Sequence, residues 1–219
     1  MRAAATLAAS RGIAAEVTAG SVAAWAQQAR TSADLVIAGS DHQAEELRAV
    51  LSESLHEAAP RPLYRRLGVI IVPPGNPTGI EGLGALLARP TNAARILATE
   101  GDEEEGLWVQ VAARAGEAAS AAMRGRIFRT AANAGEALRR WREETGRFDA
   151  WLTWRPSADR RLPYGEVVEI EQPFSVWRTA YAMLSRKGSE APAAAAFLDF
   201  LLGPEGETVF ARHGWTRPE

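Results

Sequence analysis

The sequence predicts an α/β protein built on parallel sheet, and three observations carry that expectation. A strand, a turn of small residues and a helix follow one another twice within the first quarter of the chain. That alternation is the pattern of parallel sheet covered by helices. Leu67 to Val72 is a short apolar run rich in β-branched residues, which reads as a buried strand. Pro73, Pro74 and Pro77 follow it and cannot donate ladder hydrogen bonds, so the strand has to stop there. A stiff segment leaving a buried strand suits a chain passing from one lobe to another, and it equally suits an ordinary strand ending in a Pro-rich turn.

Composition sets outer limits. The 219 residues are 47% hydrophobic and 24% charged, enough for one large domain or two small lobes. The net charge of −2 gives no long-range attraction to nucleic acid or anionic membrane. There is no cysteine, which excludes disulfides, thiolate catalysis and Cys-based zinc sites. No apolar run is long enough to span a bilayer.

The elements follow in order. Residues 2–11 read as a surface helix stopped by Gly12. Its outline resembles a short signal peptide, but the run is short and Ala-rich rather than Leu-rich, and no export signal is visible. Ile13 to Thr18 reads as a strand and Ala19-Gly20-Ser21 as a tight turn. Ser21 then caps a helix from Val22 to about Arg30. Ala33 to Ala38 is a strand closed by Gly39-Ser40, and Asp41 begins a helix through about Glu57. After the Pro-rich segment come a helix at 79–87, a strand at 94–99, an acidic loop at 100–106, helices at 107–116 and 117–123, and a strand at 126–130. Asn133 sits in the turn before a helix at 134–145. Phe148 to Trp154 is a strand, Glu166 to Ile170 another, and Thr179 to Ser185 a buried one. Helices at 191–202 and 207–212 close the chain.

Ligands in such sheets lie beyond the carboxyl ends of the strands. Ser21 and Ser40 each follow a Gly at a strand end, where a hydroxyl and helix-start N–H groups can cradle an oxyanion. The plain alternative is a helix cap. Asn133 can add an amide donor at the matching turn, with the same alternative. Arg178, at the mouth of a buried strand, offers a fork-shaped guanidinium to a carboxylate, sulfate or phosphate. Arg65 and Arg66 offer the same chemistry but read as a surface pair. Trp151 and Trp154 lie three apart on one strand and point oppositely. One belongs to a core, and Trp154, at the strand end, suits a cleft wall. His42, His56 and His213 are scattered without metal spacing. No nucleophile elbow, Walker A loop or dinucleotide fingerprint is present. Arg139, Arg140 and Arg142 are balanced by Glu143 and Glu144, which makes a solvated face rather than a nucleic-acid footprint.

The ordered pieces resemble a known group. They are Thr18-Ala19-Gly20-Ser21 with Trp25; Ala33-Asp34-Leu35-Val36-Ile37-Ala38-Gly39-Ser40; Pro62-Leu63-Tyr64 leading to Pro73-Pro74-Gly75-Asn76-Pro77; and Gly106-Leu107-Trp108. Asp149-Ala150-Trp151-Leu152-Thr153-Trp154, Arg178, Ser185-Arg186-Lys187-Gly188, Phe197 through Gly206, Phe210 and Gly214-Trp215 complete the series. The chain is similar to type II extracellular (periplasmic) solute-binding proteins, and within them to the accessory colonization factor group, related to molybdate- and sulfate-binding proteins. The resemblance implies two α/β lobes, each a mainly parallel sheet flanked by helices, with hinge closure on a small ligand in an interlobe cleft. Lobe one would be 1–72 with 173–219, and lobe two 73–172. It implies a periplasmic or extracellular monomer without cofactor or catalytic residues, binding a sulfate, phosphate ester, molybdate-like oxyanion or carboxylate. Partners would be a membrane transporter or sensor receptor, and not nucleic acid. An enzyme using Asp149 or the acidic loop, and a regulator's effector domain, are the rival readings of such a fold. Two departures stand out. The first strand and Gly-rich turn of the family pattern have no counterpart here, which leaves a gap or an open edge in lobe one. Asp102-Glu103-Glu104-Glu105 stands where the family has small or amide residues; it reads as a solvated loop or as a cation site.

Overall fold

The computed structural model describes residues 1–20, 22–56, 59–99, 106–158 and 164–219. Ser21 and the acidic stretch Asp102 to Glu105 therefore lie outside the described residues. The chain divides into two compact units, Met1–Arg65 with Arg178–Glu219, and Arg66–Trp177. Two strands run from one unit into the other, β2 (Arg61–Val72) and β7 (Trp177–Leu184).

The first unit holds α1 (Arg2–Ala9), α2 (Val22–Ser32), β1 (Leu35–Ala38), α3 (Asp41–Leu51), α8 (Arg186–Ser189), α9 (Pro192–Leu202), α10 (Pro204–Arg212) and β8 (Trp215–Thr216). β1 runs antiparallel to β7, with Leu35 opposite Leu184 and Ala38 opposite Tyr181. Alternation along β1 sorts its side chains. Val36 and Ala38 join Val22, Ala26, Leu47 and Leu51 of α2 and α3, whereas Leu35 and Ile37 lean toward the cluster of α1, α9 and α10. In that second cluster Tyr64 stacks on Phe210 at 4.1 Å and donates its hydroxyl proton to the Leu201 carbonyl at 2.6 Å. A buried phenol needs such a partner.

The second unit contains β3 (Ile96–Thr99), β4 (Ile127–Ala131), β5 (Ala150–Trp154), β6 (Glu166–Glu169), α4 (Leu83–Ala88), α5 (Leu107–Arg114), α6 (Glu117–Arg124) and α7 (Ala134–Glu143). β3 is flanked in parallel by β4 and β5, while β2 runs antiparallel to β5 and β6. The α/β class is thus the expected one, and the sheet is mixed: among the described pairings, parallel strands are confined to β4, β3 and β5. Ile70, Val72, Ile96 and Leu152 face α4, α5 and α6. Val69, Ile71, Leu97 and Trp151 face α7. β2 ends at Val72, as the prolines require. The turn beyond is held by Asn76, whose amide exchanges two hydrogen bonds with the Ile80 backbone at 2.9 and 3.0 Å.

Several elements differ from the sequence expectation. Ile13 to Thr18 belongs to no strand, because strand formation needs a neighbour and none of the described residues supplies one. α3 stops at Leu51, six residues short of the expected end. Arg30 donates to the Val50 carbonyl at 2.9 Å, and Leu55 bridges Ser185, which together end the helix. α4 begins at Leu83 rather than near Gly79, where the Glu171 carboxylate accepts from the Leu83 and Gly84 N–H groups at 2.7 and 2.8 Å. Burial alone would raise the Glu171 pKa; these donors and its own N–H outweigh that and hold it below the ordinary value.

Two contacts give direct tests. A Cβ at Gly188 would lie 1.9 Å from the Asp34 carbonyl oxygen, a backbone atom that cannot swing aside. Gly188→Ala is expected to cost about 3 kcal/mol of stability, read by denaturant unfolding. Asp149 accepts from the Arg95 backbone N–H and guanidinium at 2.7 and 3.0 Å. Burial pushes its pKa up, but the Arg95 bonds outweigh burial and leave it lowered. A lowered carboxyl stabilises the fold above the unfolded value near 3.9 and loses that contribution as pH falls through the folded value. Asp149→Asn should therefore lower Tm at pH 7 and narrow the gap to the unsubstituted protein on acidification toward pH 3.

Candidate functional site

In the first unit, the carboxyl end of β1 feeds directly into α3 through Gly39 and Ser40. Ser40 is buried, takes an extended conformation, and accepts the Gln43 N–H on its Oγ at 3.1 Å. Gln43 reaches back so that its Oε1 accepts from the Gly39 N–H at 2.5 Å. This is close to a reciprocal capping box, with the returning side chain taking the N–H one residue before the cap. Asp41 follows in the first turn and accepts a short hydrogen bond from the Tyr181 hydroxyl of β7. Burial raises the Tyr181 pKa, and the Asp41 carboxylate raises it further, so the phenol stays protonated.

The second unit repeats the arrangement where β4 feeds into α7. Asn133 caps the helix, its Oδ1 accepting from the Glu136 N–H at 3.0 Å. Glu136 reaches back to the Ala132 N–H at 2.9 Å and pairs with Arg140 at 2.8 Å. The Ala132 N–H, then Arg140, hold the Glu136 carboxyl below its usual range. Trp154, half-buried at the end of β5, lies under the Arg66 guanidinium at 4.8 Å from its ring centroid. Trp151, three residues before, is fully buried against α7.

Arg65 is half-buried, and its guanidinium pairs with the exposed Glu219 carboxylate at 2.5 Å. Arg66 is not the exposed partner the sequence suggested, because the Trp154 face draws it into the second unit. Arg178 is half-buried in β7. The structure thus brings Arg66 to Trp154 and gives Ser40 and Asn133 the same local frame, one in each unit. Asp41, Gln43, Tyr181 and Glu136 escaped the sequence reading. The spacings Ser40-Asp41-His42-Gln43 and Asn133-Ala134-Gly135-Glu136 are capping-box signals that reveal two of them. Tyr181, 140 residues from Asp41, left none. No cluster of three or more metal-ligating side chains occurs among the described residues, and no helix there is long and apolar enough to cross a membrane.

The arrangement is that of a two-lobed type II periplasmic binding fold, with polar helix starts at strand ends in each unit. The chain belongs to the bacterial extracellular solute-binding protein family, whose sequence model matches residues 1–216. Solved structures share the fold. The L-phospholactate-bound form of PEB3 is 24% identical, with a TM-score of 0.83 over 99% of this chain and 94% of that one; PEB3 comes from Campylobacter jejuni. The periplasmic molybdate-binding protein of Azotobacter vinelandii is 16% identical, with a TM-score of 0.73 over 100% and 94% of the two chains. The sulfate-binding protein SubI of Mycobacterium tuberculosis is 16% identical, with a TM-score of 0.67 over 91% and 75%. No curated protein matches the chain.

The caps can be weighed by substitution. Ser40→Ala and Asn133→Ala should each cost about 1 kcal/mol in denaturant unfolding, while the Gly variants should cost only about a few tenths. A far larger loss at Ser40 would show that its hydroxyl holds more than the α3 start.

Proposed function

We propose that this chain captures a small anion or an anionic organic solute outside the cytoplasm, or in a periplasm, and passes it to a membrane transporter or a sensor receptor. Membership of the solute-binding family over residues 1–216 is the observation that carries this reading. Fold neighbours whose ligands are L-phospholactate, molybdate and sulfate support the anionic class. The chemistry of the chain is compatible with it. Ser40 and Asn133 stand at helix starts, where N–H groups and the dipole favour negative charge. Arg178 and Arg65 supply guanidinium groups, Trp154 an aromatic wall, and Ser21 a further hydroxyl.

The reading is of a binding protein rather than an enzyme. Asp149, the carboxylate an enzymatic reading would use, is fixed by Arg95 in a structural pair at the feet of β3 and β5. A general base must reach its proton, and a carboxylate already bonded on both oxygens to one arginine is poorly placed for it. The accessory colonization factor subgroup and the monomeric state belong to the same proposal. So does the lobe division at 72/73 and 172/173.

A thermal-shift screen over sulfate, molybdate, phosphate esters and small carboxylates tests the ligand class; at 100 times Kd a true ligand stabilises by about 2.7 kcal/mol. A flat response to all four classes would sink the anion reading. With a ligand identified, Arg178→Ala should weaken it at least ten-fold by calorimetry, since a lost charged hydrogen bond costs about 1.5–3 kcal/mol. Unchanged affinity would remove Arg178 from the site.

A further inference from the structure

The first unit holds an open cavity of about 480 Å³ at the end of α3 remote from Ser40. One side of it is the outer face of that helix. Glu45, Arg48, Ala49 and Ser52 follow at spacings of three, four and seven residues, so they share one face, while Ala44, Leu47 and Leu51 are buried on the other. His56, Arg186 and the buried Leu55 complete the lining. The volume is that of a small-molecule site.

Backbone bonds fix this lining. Leu55 bridges Ser185, the His56 N–H donates to the Leu184 carbonyl at 2.9 Å, and the Arg186 N–H donates to the Ser54 carbonyl at 2.8 Å. The charged groups, by contrast, are uncommitted. Arg48 makes no hydrogen bond or ion pair among the described residues. Arg186 spends its Nε on the Glu53 carbonyl at 3.0 Å and leaves its two terminal nitrogens open. The His56 ring, the Ser52 hydroxyl and the Glu45 carboxylate also have no partner among the described residues. Arg30, Arg126 and Arg217 are tied to helix carbonyls, and Arg95 and Arg140 to carboxylates. Two idle guanidinium groups on one cavity are therefore a local feature, and their chemistry is that of anion capture.

We propose that this cavity binds the phosphate ester of a small polyol, with glycerol phosphate as the simplest member of the class. Arg48, the open nitrogens of Arg186 and the Ser52 hydroxyl donate to the phosphoryl oxygens. Glu45 stands one turn nearer the helix start than Arg48, accepts from the polyol hydroxyls, and so selects a ligand with donors at one end and charge at the other. Ala49 and Leu55 offer apolar contact to the carbon chain. The negative pole of α3 opposes this only weakly, because Arg30 takes the Val50 carbonyl and the Ser54 and Leu55 N–H groups take that of Leu51. The site lies about 18 Å along α3 from Ser40 and does not rest on the solute-binding reading.

The test is NMR of the full chain, following the three histidine ring resonances during titration with glycerol 3-phosphate. His56 lines the cavity, His42 stands beside Ser40 at the other end of α3, and His213 is remote in sequence from both. A saturable shift of His56 is the expected result, whatever His42 does; a shift of His42 alone reports a solute at the start of α3 and overturns the proposal. Arg48 is exposed and without bonds, so Arg48→Gln keeps the fold; it should weaken the His56 response about five-fold. Glu45→Ala should narrow the preference for glycerol 3-phosphate over methyl phosphate. Phosphatidylglycerol vesicles, with phosphatidylcholine as the blank, are tested by co-sedimentation: binding lost in Arg48→Gln identifies a lipid headgroup as the source of the same chemistry, and binding of the soluble ester alone identifies a free phosphate ester. No response of His56 together with no vesicle binding overturns the proposal. So do an equal response to chloride at matched ionic strength, equal affinity for methyl phosphate, and a response that Arg48→Gln leaves unchanged.

Discussion

The twelve-residue strand β2 has to satisfy two cores at once, and each unit is built around its share of that strand. Leu63 and Tyr64 are fixed in the first unit by Phe210 and the Leu201 carbonyl. From Leu67 to Val72 the same strand serves both faces of the second unit: Ile70 and Val72 toward α4, α5 and α6, and Val69 and Ile71 toward α7. A one-residue slip would exchange these faces and put Arg66 where Leu67 belongs. Register is therefore set by burial on both sides of the sheet. Gly68 adds a local constraint, since Leu107 of α5 lies where its Cβ would be, at 2.5 Å.

The helix starts reveal how electrostatics is handled. Positive helix ends attract anions, and here three of them already hold a carboxylate from the chain: Asp41 in the first turn of α3, Glu136 at α7 and Glu171 at α4. Each of these acids is tied down, Asp41 by Tyr181, Glu136 by Arg140, and Glu171 by two backbone N–H groups. An incoming anion at Ser40 or Asn133 would share its helix start with a carboxylate already placed there. Any solute held there is favoured if it also carries a hydroxyl or another donor that a carboxylate can accept from.

Much of this was legible in the sequence, and the failures have a common cause. The β-branched run and its prolines announced β2 and its end, and the Gly-Ser and Asn turns announced the starts of α3 and α7. These are local signals, decided by the conformations open to a few consecutive residues. Ile13 to Thr18 carries an equally good local signal and forms no strand, because pairing depends on a partner distant in sequence. The true extent of β2 was missed for the same reason. Arg61, Arg65 and Arg66 look like surface residues until Glu219 and Trp154 are brought to the last two. The Tyr181–Asp41 bond and the burial of Arg126 left no trace, since Asp41 and the Leu87 and Arg89 carbonyls that meet them are distant in sequence.

Arg126 shows why counting cations is a poor guide to an anion site in this protein. All but one of its 25 basic residues are arginines, the exception being Lys187. Many of them serve helix ends. Arg126 is buried and donates to the Ala122 and Leu87 carbonyls of α6 and α4 at 2.6 and 2.9 Å, and also to Arg89. Arg30 caps α3 at Val50, Arg217 caps α9 at Leu202, and Lys187 closes α2 at Ser32. The last carbonyls of a helix lack intrahelical donors and carry its negative pole, so a guanidinium satisfies both needs with one planar fork. Such an arginine is a structural clamp whose loss would leave several helix-end carbonyls without that donor. A ligand-binding arginine must instead be one whose fork is not committed to the backbone of its own unit, which is a question of geometry that no charge count answers.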